Sequence, residues 1–232
     1  IIASTGGTLQ TATAGTSNFR AGVNAGNSIA SGGNNNTVVG DEAGTAITTG
    51  DGMVAIGYQA LMTEDAQGHS TAVGASALKM QNSGGTSYNV AVGSEAGVAV
   101  STGVQNTLIG SKAGLALAGG DGVVAVGFEA LMTEDGNGNS VAVGRQALRT
   151  QNAGAEAYNV AVGNGAGYNV STGVHNTLIG GVAGDALSTG AENVVIGYTA
   201  GKTLATASNN TIIGSQAGEI RTGAGNTIVG QY

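Results

Sequence analysis

The chain has 232 residues and a net charge of −7, and only 9% of its residues are charged. Its seven Lys and Arg residues are scattered, which disfavours nucleic acid and anionic lipid as partners because both require clustered basic side chains. The absence of Cys excludes a disulfide framework, a thiolate metal site and a thiol nucleophile. No apolar run approaches the ~20 residues of a membrane span, and nothing at the start resembles a signal peptide.

A short strand-like motif that ends in glycine recurs along the whole chain at nearly constant intervals. We number positions within each repeat from this glycine, which is position 0. The glycines are Gly22, Gly40, Gly57, Gly74, Gly93, Gly110, Gly127, Gly144, Gly163, Gly180, Gly197, Gly214 and Gly230. Repeats of roughly 17 residues are too short to fold alone and are typical of solenoids, in which each coil packs on its neighbours.

A longer period of four repeats overlies the short one. The sequence ALMTED at residues 60–65 returns at 130–135, and YNVAVG at 88–93 returns at 158–163. Duplication of a four-coil block explains this pattern. We therefore divide the chain into an N-terminal lead-in or partial coil, residues 1–17, and a β-solenoid repeat domain, residues 18–232.

Positions −3 and −1 carry β-branched residues, which favour strands because their stiff side chains fit a pleated surface. In a strand these two positions point to one side and position −2 points to the other. We expect −3 and −1 to form ladders inside the coils. The position −1 ladder consists of Val39, Ile56, Val73, Val92, Ile109, Val126, Val143, Val162, Ile179, Ile196, Ile213 and Val229.

Position −2 is then expected to face outward, yet it is apolar throughout. An exposed apolar stripe along a whole molecule usually marks an interface, and three chains packed about a common axis would bury it. The sequence therefore favours a parallel homotrimer with this row at its interface over the alternative that some of these residues turn inward in a flattened coil. The row consists of Val38, Ala55, Ala72, Ala91, Leu108, Ala125, Ala142, Ala161, Leu178, Val195, Ile212 and Ile228.

The rest of each repeat is short and rich in glycine. Position +3 is Ala in every complete copy, which suits a place where the chain doubles back. A second short strand is expected at residues 45–48, followed by a Thr-Gly turn. A unit of about 17 residues with this much glycine leaves no room for a helix. We predict an all-β, single-chain β-solenoid of about 13 coils, which at ~4.8 Å per coil forms a rod of roughly 60 Å.

Several segments resemble known repeats: NVAVGSEAG at residues 89–97, NTLIGSKAG at 106–114 and MVAIGYQAL at 53–61. They are similar to the head repeats of YadA-like trimeric autotransporter adhesins, although the repeat here is longer. They also resemble repeats in bacteriophage tail-fibre proteins. The resemblance covers nearly the whole chain and implies a trimeric β-roll. It lies in strand and turn positions, so it transfers no ligand-binding residue.

Polar side chains at repeated positions have a structural and a functional interpretation. The Asn residues at position −4 are expected to form a turn ladder rather than a row of sugar-binding amides. They are Asn36, Asn89, Asn106, Asn159, Asn176, Asn193, Asn210 and Asn226.

The acidic pairs Glu64/Asp65 and Glu134/Asp135 lie near Gly-Asp-Gly sequences. Carboxylates and loop carbonyls are ligands for calcium, but no calcium-binding spacing is present. Solvated loops are favoured over a calcium site. The same pairs do not make the two-sided cleft of a glycosidase.

His69 and His175 are assigned to different places in the repeat, without ligand partners nearby, which favours surface positions over metal sites. Further aromatic side chains are expected either to pack over strand ends or chain seams or to stack on sugars. They are Tyr58, Phe128 and Tyr198 at position +1, with Tyr88 and Tyr158 at a second repeated position. No catalytic, cofactor-binding or metal-binding residue is predicted, and no cofactor.

The expected function is a structural or adhesive fibre segment on a virion or cell surface, with a bacteriophage tail fibre used in host attachment as the favoured assignment. Its partners would be two further copies of the chain and a host cell-surface glycan or protein. The first alternative is the head of a bacterial trimeric adhesin. From another class, a tailspike-like glycosidase would require a carboxylate cleft. An ice-binding solenoid would require a flat outward Thr array, whereas the Thr positions here alternate with Val and are expected in the core.

Overall fold

A computed structural model describes residues 13–66, 68–136, 138–218 and 223–231. Its regular secondary structure consists of thirteen three-residue strands. They are β1 (Phe19–Ala21), β2 (Thr37–Val39), β3 (Val54–Ile56), β4 (Thr71–Val73), β5 (Val90–Val92), β6 (Thr107–Ile109), β7 (Val124–Val126), β8 (Val141–Val143), β9 (Val160–Val162), β10 (Thr177–Ile179), β11 (Val194–Ile196), β12 (Thr211–Ile213) and β13 (Thr227–Val229).

The strands form one parallel sheet in which each pairs only with its neighbours in sequence, from β1 to β13. The register places equivalent residues side by side, so that Val92 pairs with Ile109 and Ile109 with Val126. The prediction of an all-β solenoid is confirmed, and no helix occurs among the described residues. The coil that opens the stack includes Thr16, whose carbonyl accepts from the Asn35 N–H at 3.0 Å. The lead-in predicted at residues 1–17 otherwise lies largely outside the described residues.

Each coil contains one strand, so the prediction of a second strand at residues 45–48 is wrong. Two consecutive turns follow the strand instead. In the coil after β6, the Ala113 N–H donates to the Gly110 carbonyl at 3.1 Å, and the Leu117 N–H donates to the Gly114 carbonyl at 3.2 Å. A coil this short closes only with two turns in close succession, and these turns leave no extended segment that could form a second strand.

The glycine at position 0 is required by the stacking of the coils. Gly110 has φ +129°, and a Cβ built on it would lie 2.5 Å from the carbonyl oxygen of Gly127 in the next coil. Both the backbone conformation and the close approach exclude a side chain. Each position 0 glycine lies against the position 0 glycine of the next coil, so every coil along the rod needs glycine at this position.

The side chains of the strands point in the directions opposite to those predicted. Position −2 lies inside the coil, and its side chains are fully buried within the single chain. The row predicted as a trimer interface is therefore the solenoid core. It consists of Val38, Ala55, Ala72, Ala91, Leu108, Ala125, Ala142, Ala161, Leu178, Val195 and Ile212, with Ile228 partly buried in the last coil.

The outward direction of the β-branched ladder follows from the volume available inside. Where position −2 is large, position +4 is Gly: the Leu108 side chain occupies the space that a Cβ on Gly114 would enter, at 2.8 Å. Where position −2 is Ala, as at Ala55, position +4 can be the buried Leu61. Positions −2 and +4 together hold at most one large side chain, and position +7 adds another, such as Leu117. A second β-branched ladder therefore does not fit within the coil.

The Asn ladder at position −4 is structural, as predicted. Its side chains are buried, apart from the half-buried Asn226, and connect successive coils. The Asn106 Nδ2 donates to the Gly120 carbonyl at 2.8 Å, and its Oδ1 accepts from the Val123 N–H at 2.8 Å. The Asn106 N–H in turn donates to the Asn89 Oδ1 at 2.9 Å. These amides satisfy backbone groups that the strand leaves unpaired inside the coil.

Candidate functional site

The outer face of the sheet is the largest repeated surface of the molecule, and it consists of the side chains at positions −3 and −1 of the strands. Position −3 holds Thr or Val and is half-buried in β2 to β12. Position −1 holds only Ile or Val in these strands, and the side chains are half-buried or exposed, for example Ile109 at 38% and Ile179 at 37%. The predicted ladder Val39 to Val229 therefore exists, but it lies on this outer face.

Aromatic side chains lie along one border of the outer face, at position +1. Tyr58, Phe128 and Tyr198 occupy equivalent places in the four-coil period, so they recur once in every four coils. Their exposed fractions are 51%, 43% and 62%. Gly181, one coil before Tyr198, would place a Cβ 3.3 Å from its ring. Within the single chain these rings are therefore about half exposed.

The other border of the outer face is position −5, where the structure brings together residues that the sequence analysis kept apart. His69 and His175 both occupy this position, so their assignment to different places in the repeat is wrong. The His69 and Tyr88 rings stack with centroids 5.6 Å apart, and the Tyr158 and His175 rings stack at 5.8 Å. Counting back five positions from each glycine in the sequence would have shown this common position.

The prediction of solvated loops holds only for the Asp of each acidic pair. Glu64 is fully buried inside the coil, whereas its neighbour Asp65 is exposed, so the two carboxylates lie on opposite sides of the backbone. The Gln81 Nε2 donates to the Glu64 Oε2 at 2.6 Å and to the Ser70 Oγ at 3.1 Å. The duplicated block repeats this arrangement with Glu134, whose Oε2 accepts from the Gln151 Nε2 at 2.8 Å.

The Gly-Asp-Gly sequences also have a structural role. The Asp51 Oδ1 accepts a hydrogen bond from the Asn34 N–H at 2.6 Å, and the Asp121 Oδ1 accepts one from the Val104 N–H at 2.8 Å. Each carboxylate thus satisfies a backbone donor of the preceding coil. Within the described ranges, no group of three or more His, Asp or Glu side chains has an arrangement that could hold a metal ion.

Two charged clusters shift the pKa of their members. Hydrogen bonds from Gln146 and then from Arg149, whose Nε lies 2.8 Å from the Glu129 Oε2, lower the pKa of Glu129. Burial raises the pKa of Asp185, and the nearby Lys202 partly opposes this effect. The Asp185 Oδ1 is buried and lacks a hydrogen-bond partner.

Comparison with known proteins finds no matching family model, no matching curated protein and no matching solved structure. A search of the described residues for a helix long and apolar enough to cross a membrane also gives none.

Proposed function

We propose that this chain is a structural and adhesive segment of an extracellular or virion-borne fibre, assembled as a parallel homotrimer through the outer face of its sheet. The observation that carries the proposal is the continuous row of Ile and Val at position −1, which stays partly exposed from β2 to β13. A row of this kind on a free monomer would be an aggregation-prone surface, and burial against other chains removes it from water.

The dimensions of the outer face suit an interface between copies of this chain. Thirteen strands at ~4.8 Å and three residues at ~3.3 Å give roughly 60 Å by 10 Å, on the order of 600 Å². The bordering row at position +1 widens the face to about 16 Å. Stable interfaces bury about 800 Å² per partner, so the widened face is large enough.

The repeat period supports a second copy of the same chain as the occupant. Apolar side chains recur on this face once per coil, at the spacing between neighbouring strands. A parallel copy of the chain has the same spacing between its coils, so its side chains can pack between those of the first chain along the full length of the face, as they do in stacked repeats. Three such chains around an axis make a stiff rod, and a rod that presents repeated surfaces binds its target by avidity.

Among fibre types, we favour a bacteriophage tail fibre used in host attachment. The support is the resemblance of NTLIGSKAG and MVAIGYQAL to repeats in such fibres. The head of a bacterial trimeric adhesin is the alternative, and it rests on the same residues. The gene context distinguishes them, because an adhesin requires a membrane anchor and a tail fibre requires a domain that attaches to the virion.

The mass of the native particle tests the trimer. We expect sedimentation equilibrium to give three times the chain mass of 22.2 kDa and electron microscopy to show rods. The double variant Ile56→Lys/Ile179→Lys places two charges in the outer face and should give folded monomers. Met62→Lys/Val98→Lys is the matched control because its position, +5, already carries Lys79 and Lys202 in other coils. A monomeric parent, or equal effects of the two variants, would contradict the proposal.

A further inference from the structure

We propose that the two stacked Tyr–His pairs, together with the loops beside them, are twin binding sites for neutral carbohydrate. The sites are His69/Tyr88 with residues 82–87 and Tyr158/His175 with residues 152–157. This inference rests on the proposed attachment function, and it names the class of ligand that the fibre would recognise.

The first observation is that these loops are the insertions of the repeat. The two longest steps between successive glycines run from Gly74 to Gly93 and from Gly144 to Gly163, and each exceeds the usual step by two positions. The added residues fall in the loops just before Tyr88 and Tyr158. Insertions in solenoids map to loops on one face, often the binding face. Cβ atoms built on glycines 84 and 85 meet nothing within 4 Å, so the first loop borders open space.

The second observation is that the aromatic rings are exposed in a backbone conformation that does not suit them. Tyr88 and Tyr158 have φ of 52° and 49°, in the left-handed region where large side chains are disfavoured. Most other coils use Gly, Asn or another small or flexible polar residue at this position. Yet 56% and 48% of the two Tyr residues remain exposed. Strain held at an accessible position is characteristic of functional sites.

The third observation comes from comparing the duplicated blocks. Tyr88 and Tyr158 correspond to each other, but the His residues do not: the counterpart of His69 is Asn139, and the counterpart of His175 is Gln105. The imidazole therefore stacks on the Tyr from the preceding coil in one block and from the following coil in the other. The blocks have diverged around the Tyr while each retains a Tyr–His stack.

The chemistry of the two sites fits an uncharged sugar. Aromatic rings carry negative faces that attract the C–H groups of a pyranose, and the polar tips of Tyr and His can hydrogen-bond to hydroxyl groups. Neither loop contains Lys or Arg, so an anionic sugar lacks a counter-charge there. In the second site Glu156 accepts a hydrogen bond from the Tyr158 hydroxyl, which adds an acceptor next to the ring.

Both sites lie in one row and four coils apart, so they are separated by about 19 Å. A trimer would present six of them. Because individual sugar contacts are weak, such repetition along one rod raises the overall affinity through effective concentration.

The test uses the native chain and saturation-transfer NMR with soluble oligosaccharides of glucose, galactose, mannose and N-acetylglucosamine, and a sialylated oligosaccharide as the anionic probe. We expect at least one neutral probe to bind. The double variant Tyr88→Asn/Tyr158→Asn should weaken that binding at least tenfold, and Tyr88→Asn alone should halve the number of sites. Asn occupies this position with positive φ in other coils, as at Asn139 and Asn209, so the variants should fold. The control Ser17→Asn introduces the same residue at position −5 with positive φ, beside Asn35 rather than a ring, and should bind like the parent.

Absence of binding to every neutral probe, binding that survives the double variant, or preference for the sialylated probe would overturn this inference. These outcomes are independent of the fibre proposal, because particle mass and rod shape are measured on the same samples. A trimeric rod without sugar binding contradicts the sugar sites alone, whereas a monomeric particle contradicts the fibre function.

Discussion

The reversed orientation of the strand side chains makes a sharp prediction for two neighbouring residues, Leu108 and Ile109. Leu108 is fully buried inside the coil, and 38% of Ile109 is exposed. We expect Leu108→Ala to destabilise the chain strongly and Ile109→Ala to do so weakly. The experiment is best performed in the Ile56→Lys/Ile179→Lys background, where contacts between chains do not contribute.

The magnitudes follow from burial. Truncation of a core Leu to Ala costs about 2–5 kcal/mol, and the cost rises with the cavity that remains. The Leu108 methyl groups lie 2.6 Å and 2.8 Å from Cβ atoms built on Gly97 and Gly114, and neither glycine has a side chain that can fill the void. We therefore expect about 3–5 kcal/mol. Ile109→Ala removes three carbons that are partly in water, at about 0.8 kcal/mol per buried carbon, which gives about 1.5 kcal/mol at most.

Urea unfolding followed by circular dichroism measures both variants. The free energy of unfolding should fall at least twice as far for Leu108→Ala as for Ile109→Ala. An equal or larger loss for Ile109→Ala in the monomeric background would refute the assigned orientation. In the parent background, the loss from Ile109→Ala should grow and depend on protein concentration, because the residue then lies between chains.

Three further predictions concern the coil itself. Gly110→Ala should lower the free energy of unfolding by several kcal/mol or prevent folding, because the added Cβ has no space and φ is positive. Gly136→Ala is the control: its Cβ meets nothing within 4 Å, so the thermal midpoint should stay nearly unchanged. Asn106→Ala leaves a buried N–H and a buried carbonyl unpaired and should lower the free energy of unfolding by about 2 kcal/mol or more; a change below about 0.5 kcal/mol would contradict the role of the ladder. Asp185→Asn should raise the urea midpoint at pH 7 but not at pH 3. Burial raises the pKa of Asp185 in the folded state. The contribution of Asp185 to stability is therefore full below the ordinary carboxyl pKa and is lost as pH rises through the raised pKa. A larger rise of the urea midpoint at pH 3 than at pH 7 would contradict a raised pKa of Asp185.

The sequence predicted the number of coils, the parallel register and the structural Asn ladder because all three depend on period alone. It did not predict which side of the strand faces inward. The strand alternation is equally consistent with both orientations, and size and hydrophobicity alone favour the β-branched residues as the core. The decisive information is the volume contributed by positions +3, +4 and +7 of the same coil, which becomes visible only when the two turns bring Leu61 or Leu117 under the sheet.

The buried acidic residue was missed for a related reason. Glu64 and Leu117 occupy the same position, +7, in different coils, and both are fully buried. Where position +4 is Leu, as at Leu61, its side chain takes the apolar space, and position +7 is Glu or Gln in those coils. A compensating pattern between positions +4 and +7 was present in the sequence, and it would have indicated that Glu64 faces inward.

The dependence of each position 0 glycine on the next has an evolutionary consequence. A coil that acquires a side chain there disrupts its neighbour, so single coils cannot diverge freely at this point. Lengthening by copying an intact group of coils preserves every such contact, and each copied block of four adds about 19 Å of rod. Reach and the number of displayed surfaces then increase together in fixed increments, so a lineage of such molecules can change how far it extends without redesigning how it folds.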